Sequence, residues 1–316
     1  MRVHDPILID LQNLAISSSA VAMRGQKLAD QGDLKNAEIQ MRKVLTLRDP
    51  TPTDYGNLAT VLSRQGKYAE ALTLFEKGLA QNSNDVILLS HQGLAYLDAK
   101  RIQEAQASLS KATTLDPTYA EAQFNLGVLR FRQGRHTDAT HLFERAISLR
   151  PGLTDAYLNL GSALAATGDL SGAIVPWLQL KRIQPDNVAL IYNIGLAQAR
   201  LGNFRAAIVE LETGLALAPG DPRIVAALAR SLVIAPDPTL RNGERAALLS
   251  RQLSQARPSD PVALELLAAA LAETGRFAEA IDIAEQALQH SQSNQNLHRQ
   301  LEAALMRYRQ GKTIHD

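Results

Sequence analysis

The chain has 316 residues, with 33 basic and 32 acidic side chains giving a net charge of +1, and it contains no cysteine. The balanced charge, without a basic block, argues against bulk electrostatic binding to nucleic acid or an anionic membrane. The absence of cysteine excludes disulfides, thiolate metal sites and cysteine catalysis, and no apolar run approaches the roughly 18 residues needed to cross a bilayer.

Helix formers dominate, aromatics are only 4%, and period-two alternation is hard to find, so an all-helical chain is expected. The first stretch, MRVHDPILIDLQNL, lacks the basic start and apolar centre of a signal peptide. Residues 1–17 are expected to form an N-terminal cap or arm, with DPILIDLQNL amphipathic enough to cover an exposed helical end.

From residue 18 a period of 34 governs the chain, with units starting at 18, 52, 86, 120, 154, 188 and 222. Position 8 of the unit reads Gly25, Ala59, Gly93, Gly127, Gly161, Gly195 and Ala229. Position 15 reads Gly32, Gly66, Lys100, Gly134, Gly168 and Gly202, and position 20 is alanine from Ala37 to Ala207. Position 32 is proline in the four central units, at Pro117, Pro151, Pro185 and Pro219. The next start is 261, so the seventh unit is five residues over length, and the surplus falls at Pro236-Asp237-Pro238-Thr239-Leu240. The eighth unit restores Gly275 at position 15 and Ala280 at position 20, and residues 295–310 read as one last helix within a capping segment, 295–316.

A unit this short cannot bury a core alone, so neighbours must stack. Positions 4, 7, 8 and 11 share one side of a helix, as Tyr157, Leu160, Gly161 and Leu164 do in the fifth unit. Positions 20, 24 and 27 form the matching stripe on a second helix, and the small residue at 8 is expected to meet position 20. Glycine in a helix interior costs roughly 1 kcal/mol relative to alanine, so close packing must offset it. Position 15 ends the first helix, where glycine tolerates φ > 0, and proline at 32 stops the second. Trp177, at position 24, is expected in the core; Pro176, inside the second helix, predicts a kink or a delayed helix start eased by Gly172.

With these anchors in place, AEAQFNLGVLRFRQGRHTDATHLFERAISLRP resembles the tetratricopeptide repeat (TPR) family, bacterial type, over about residues 18–294. The resemblance implies an all-α, right-handed superhelical solenoid of about eight helix-turn-helix units plus a C-terminal capping helix. The final units, APDPTLRNGERAALL and LAAALAETGRFAEAIDIAEQAL, are similar to the ends of many bacterial arrays, some attached to membrane glycosyltransferase-like or cytochrome-like parts. A bacterial cytoplasm or periplasm is the expected compartment.

At about 100° per residue, positions 2, 5, 6, 9, 12 and 13 lie opposite the packing stripe. The family resemblance implies that this side lines a concave groove. Position 6 gives Asn57, His91, Asn125, Asn159 and Asn193, and an amide both donates and accepts. A row of amides can hold a peptide backbone without reading its side chains, as asparagine rows do in some TPR proteins. Phe124, Phe131, Leu158 and Tyr192 would supply apolar pockets beside Asn57, Asn125, Asn159 and Asn193, with Arg132 and Arg200 at the rim. Asparagine at position 6 also fits a contact between neighbouring helices, and the rim arginines, Arg64 among them, fit solvated charges. The carboxylate clamp of chaperone-tail binders needs lysine at position 2, where this chain has Thr53, Ile87, Glu121, Asp155 and Ala189.

Catalytic chemistry has no foothold. The seven histidines are scattered, His136 and His141 are five apart, and no glycine-rich loop follows a strand. The expected function is a non-catalytic protein-interaction scaffold for a peptide segment, with no cofactor, metal, nucleic acid or direct membrane insertion. The alternatives are the docking or substrate-presenting part of a larger enzyme or membrane assembly, and a self-associating structural protein.

Overall fold

The computed structural model describes residues 6–316, with side chains from residue 18 onward. Its regular structure among those residues is seventeen α-helices and one 3-10 turn, without a strand. The first helices of the repeats are α1 (Pro6–Asp30), α3 (Pro52–Arg64), α5 (Val86–Asp98), α7 (Ala120–Arg132), α9 (Thr154–Ala166), α11 (Val188–Arg200), α13 (Pro222–Ile234) and α15 (Pro261–Glu273). The second helices are α2 (Leu34–Leu47), α4 (Tyr68–Gln81), α6 (Ile102–Leu115), α8 (His136–Leu149), α10 (Leu170–Ile183), α12 (Phe204–Leu217), α14 (Gly243–Ala256) and α16 (Phe277–His290), followed by α17 (Gln295–Tyr308). Helical backbone runs from Pro6 through the first repeat's helix without interruption. The capping role expected for residues 1–17 lies outside the described side chains.

Local chemistry explains the regular boundaries. Every first helix after α1 starts at repeat position 1, and a side chain just before it caps five of these seven helices, α7 and α9 being the exceptions. Asp85, Asn187, Asp221 and Asp260 accept hydrogen bonds from backbone N–H groups of the first turn. Thr51 goes further and forms a reciprocal capping box with Asp54. The turn between the helices needs a left-handed residue at position 15. Glycine supplies it with φ between 75° and 92° in repeats 1, 2, 4, 5 and 6, whereas Lys100 holds φ 62° in repeat 3.

Within each hairpin the packing corrects one expectation. The space a Cβ would need at position 8 is filled chiefly by the side chain at position 24, not by position 20. A Cβ on Gly93 would lie 2.5 Å from Leu109 Cγ, one on Gly127 2.7 Å from Phe143 Cε1, and one on Gly195 2.8 Å from Leu211 Cγ. Position 20 contributes backbone: the Ala207 carbonyl lies 3.5 Å from the Gly195 site. Its own methyl is fully buried at Ala37, Ala71, Ala105, Ala139, Ala173 and Ala207.

The array divides into two compact units, the first ending at Ala163 and the second beginning at Leu164. In the first, one apolar cluster runs from Ala29 through Leu129. In the second, the core gathers α13 to α16 and extends to Leu305 and Tyr308 of α17. The surplus of repeat 7 sits where the sequence places it: Asp237 caps the turn Pro238–Leu240, and α14 starts five residues late at Gly243. A Cβ on Gly243 would lie 2.8 Å from Thr274 Cγ2 and 3.2 Å from the Ala270 carbonyl, so glycine lets α14 approach α15.

Pro176 does not delay α10, which starts at Leu170 in register with the other second helices. Gly172 serves the cap rather than the proline. Its N–H donates to Asp169 Oδ1 at 2.8 Å, and a Cβ there would lie 2.1 Å from Asp169 Oδ2. Trp177 is buried, as a position-24 residue should be.

Candidate functional site

The amide-bearing face is built by first helices, so its residues recur once per repeat, and the structure gives its asparagines different surroundings. Asn125 is 3% exposed, and its Nδ2 donates to Ser90 Oγ at 3.0 Å and to the Ser90 carbonyl at 3.4 Å. Ser90 holds position 5 of the preceding repeat, so this amide bridges two first helices and faces its neighbour instead of solvent. Asn159 is half-buried and donates to the Asp155 carbonyl of its own helix at 2.8 Å. Its position-5 neighbour one repeat earlier is Phe124, whose side chain offers no acceptor. Asn57 and Asn193 are half-buried and make no hydrogen bond among the described residues.

His91 interrupts the row with different chemistry. Thr60 Oγ1 donates to the Gly56 carbonyl at 2.8 Å and lies 3.3 Å from His91 Nδ1. With its one proton engaged, the hydroxyl accepts from Nδ1–H, which sets the tautomer. Burial pushes this imidazole below the usual histidine range against the opposing pull of Glu121 and Asp85.

The apolar candidates are half-buried. The Phe124 ring lies 5.7 Å from that of Phe143, and Phe131 lies 4.9 Å from the His136 ring. Leu158 is half-buried in the first unit. In the second unit the Arg223 guanidinium sits 5.2 Å over the Tyr192 ring. Beyond Arg223 a cavity of about 420 Å³ opens between α13, α14 and α15, lined by Pro222, Val225, Ala226, Leu253, Ala263 and Leu266. Sequence reasoning missed it because its walls come from two repeats and the C-terminal end of α14.

The rim arginines divide. Arg132 Nη1 donates to the Leu97 carbonyl at 3.1 Å and Nη2 to Asp98 Oδ1 at 2.9 Å. Arg64 makes the equivalent reach to the Ala29 carbonyl at 2.9 Å. Both therefore join consecutive first helices. Arg200 is exposed and forms no ion pair or hydrogen bond among the described residues. At position 2, Glu121 pairs with Arg150, and burial together with nearby Glu121 pushes the Tyr119 phenol up to about 12.

Among the described residues no group of three metal-ligating side chains comes together. No helix among them is long and apolar enough to cross a membrane.

The tetratricopeptide repeat pattern matches residues 57–120, 91–154, 124–188 and 239–296, and a second form of it matches 188–221. The chain belongs to the tetratricopeptide repeat family. TPR arrays are protein-interaction scaffolds, and the helical hairpins described above are of that kind. The type IV pilus assembly protein PilF of Pseudomonas aeruginosa is 28% identical over 120 residues, covering 37% of this chain and 47% of that protein. The mouse protein O-mannosyl-transferase TMTC1 is 29% identical over 126 residues, 39% of this chain but 13% of that protein. This TPR chain thus spans a small part of the transferase and about half of the pilus protein.

Among solved structures, PilF superposes with a TM-score of 0.57 at 19% identity, over 67% of this chain and 96% of that one. YrrB, described as a TPR protein with an unusual peptide-binding site, gives 0.54 at 18% identity, over 60% of this chain and 95% of that one. These likenesses speak to the fold.

Proposed function

We propose that the chain is a non-catalytic scaffold that holds an extended or helical peptide segment of a partner protein on its amide-bearing face. One observation carries the reading: Asn57, Asn159 and Asn193 are half-buried at the same repeat position, with half-buried apolar side chains beside them in the repeat, and Asn57 and Asn193 make no hydrogen bond among the described residues. Asn57, Asn159 and Asn193 would contact the partner's backbone. Asn125, buried and bonded to Ser90, would join two first helices rather than touch the partner. Phe124, Phe131, Leu158 and Tyr192 would wall the path, and the cavity beside Arg223 would take an apolar side chain. Arg200 is the open cation of the rim, whereas Arg132 would keep the rim in shape. Similarity to PilF, a pilus assembly protein by name, supports a role in building a protein assembly.

The test is a photo-crosslinking amino acid at Leu196 on the amide face or at Val209 on the opposite face, followed by capture and mass spectrometry. A protein crosslinked from 196, and weakened by Asn159→Ala with Asn193→Ala, is the expected result. A partner trapped only from 209, or unaffected by the double substitution, would remove the amide face from the mechanism.

Two other readings have an observation behind them. Similarity to part of TMTC1 supports a docking module of a larger enzyme, which an immunoblot band well above 34.3 kDa would reveal. Val175, Val209 and Leu248 all occupy repeat position 22 and are 57%, 61% and 71% exposed, which supports self-association. Light scattering over a concentration series tests it.

A further inference from the structure

The carbonyl at repeat position 12 recurs as a docking point. In repeats 1 and 3 it takes a guanidinium from position 13 of the following repeat, as Arg64 reaches Ala29 and Arg132 reaches Leu97. Repeat 8 cannot continue this pattern, because its position 13 is Glu273, which has no proton to donate when ionised. The position-12 carbonyl of repeat 7, that of Val233, instead takes His315 Nε2 at 2.8 Å, from 82 residues further on. The same nitrogen lies 3.9 Å from Glu273 Oε2, while Glu273 Oε1 lies 3.0 Å from Arg241 Nε, just past the surplus turn. Next to His315, Ile314 packs against the core of the second unit.

Two features set this contact apart from a plain end cap. Glu273 Oε2 is buried and has no hydrogen-bond partner, although its side chain as a whole is only 12% exposed. The site therefore has one more acceptor than its occupant satisfies. The occupant also reaches the site through a short segment of its own. It follows Gly311 at φ 68°, and a local turn in which Thr313 N–H and Oγ1 both donate to Asp316 Oδ2 organises it.

We propose that the Val233 carbonyl, Glu273 and Arg241 form a second docking seat, distinct from the amide row, for a short segment that sets a branched aliphatic residue beside a cationic N–H donor. Ile314–His315 is its resident, displaceable occupant. A guanidinium fits the seat better than imidazole, because it has enough N–H groups to serve both the carbonyl and Glu273 Oε2 at once. A tethered occupant keeps weaker competitors out through its high local concentration and yields to a better-matched partner.

The experiment uses the full chain with Ile314→Ser and His315→Ala, and a fluorescent pentapeptide Lys-Thr-Ile-Arg-Asp read by polarisation. The emptied chain is expected to bind the peptide about tenfold or more tighter than the unaltered chain. Adding Glu273→Gln should remove most of that gain. Equal binding to all three chains, or a gain that survives Glu273→Gln, overturns the proposal. Hydrogen exchange on the unaltered chain is independent of how the variants fold. Excess peptide should speed exchange at residues 312–316 while α17 stays protected, and unchanged exchange there also overturns it.

Discussion

Repeats 4 and 8 share one frame and fill it in opposite ways. Repeat 4 has Gly127 at position 8 against the fully buried ring of Phe143 at position 24, and polar side chains tie it to repeat 3. Repeat 8 has Ala268 at position 8 and Ala284 at position 24, and α15 buries nine residues from Ala263 to Ala272. The difference extends along the chain. Gly25, Gly93 and Gly195 face Met41, Leu109 and Leu211, whereas Ala229 shares its repeat with Ser250. Helix spacing is thus held by exchanging volume between two positions, with Ala59 and Phe75 of repeat 2 as the departure.

The largest effect should come from breaking this exchange. Gly127→Leu places a branched chain where a Cβ alone would lie 2.7 Å from Phe143, and should cost about 1–3 kcal/mol or more. Ala268→Gly faces no such clash and should cost about 1 kcal/mol through helix propensity. Urea titrations of both would break the comparison if the order reversed. The polar junction is next: Asn125→Ala removes the donor to Ser90 and should cost about 1 kcal/mol, with no counterpart where repeats 7 and 8 carry Ala227 and Leu266.

Smaller effects sharpen the contrast. Lys100→Gly relieves the one left-handed non-glycine among the described residues and should gain up to about 1 kcal/mol in the same titration. His91 gives the first unit a pH dependence. Its folded form resists protonation, so the neutral ring's contribution is intact above the usual 6.5 and declines as pH falls below it, when the unfolded chain takes up the proton first. His91→Gln should flatten stability between pH 7.5 and 5; a curve as steep as the parent's would remove His91 as the cause.

Much of the fold could be read directly. A cap at position 34, glycine at 15 and proline near 32 act within a few residues of where they stand, so most boundaries follow from local geometry. The site was harder to read. A side chain's hydrogen-bond partner depends on a residue one repeat away, yet some signal was present: Asn125 has a serine 35 residues earlier, and Asn159 has a phenylalanine. The glycine's partner at position 24 was missed because the crossing aims a long side chain, not the nearest small residue, at the bare backbone.

The period, the helix register and the place of the five-residue surplus were decided by the sequence itself, because backbone conformation and apolar spacing are properties of neighbours in the chain. Only the tertiary structure decided which amides turn inward, which arginines clamp adjoining helices, and that His315 reaches a carbonyl 82 residues away. Those choices depend on which donor and acceptor the stacked hairpins bring within hydrogen-bond distance.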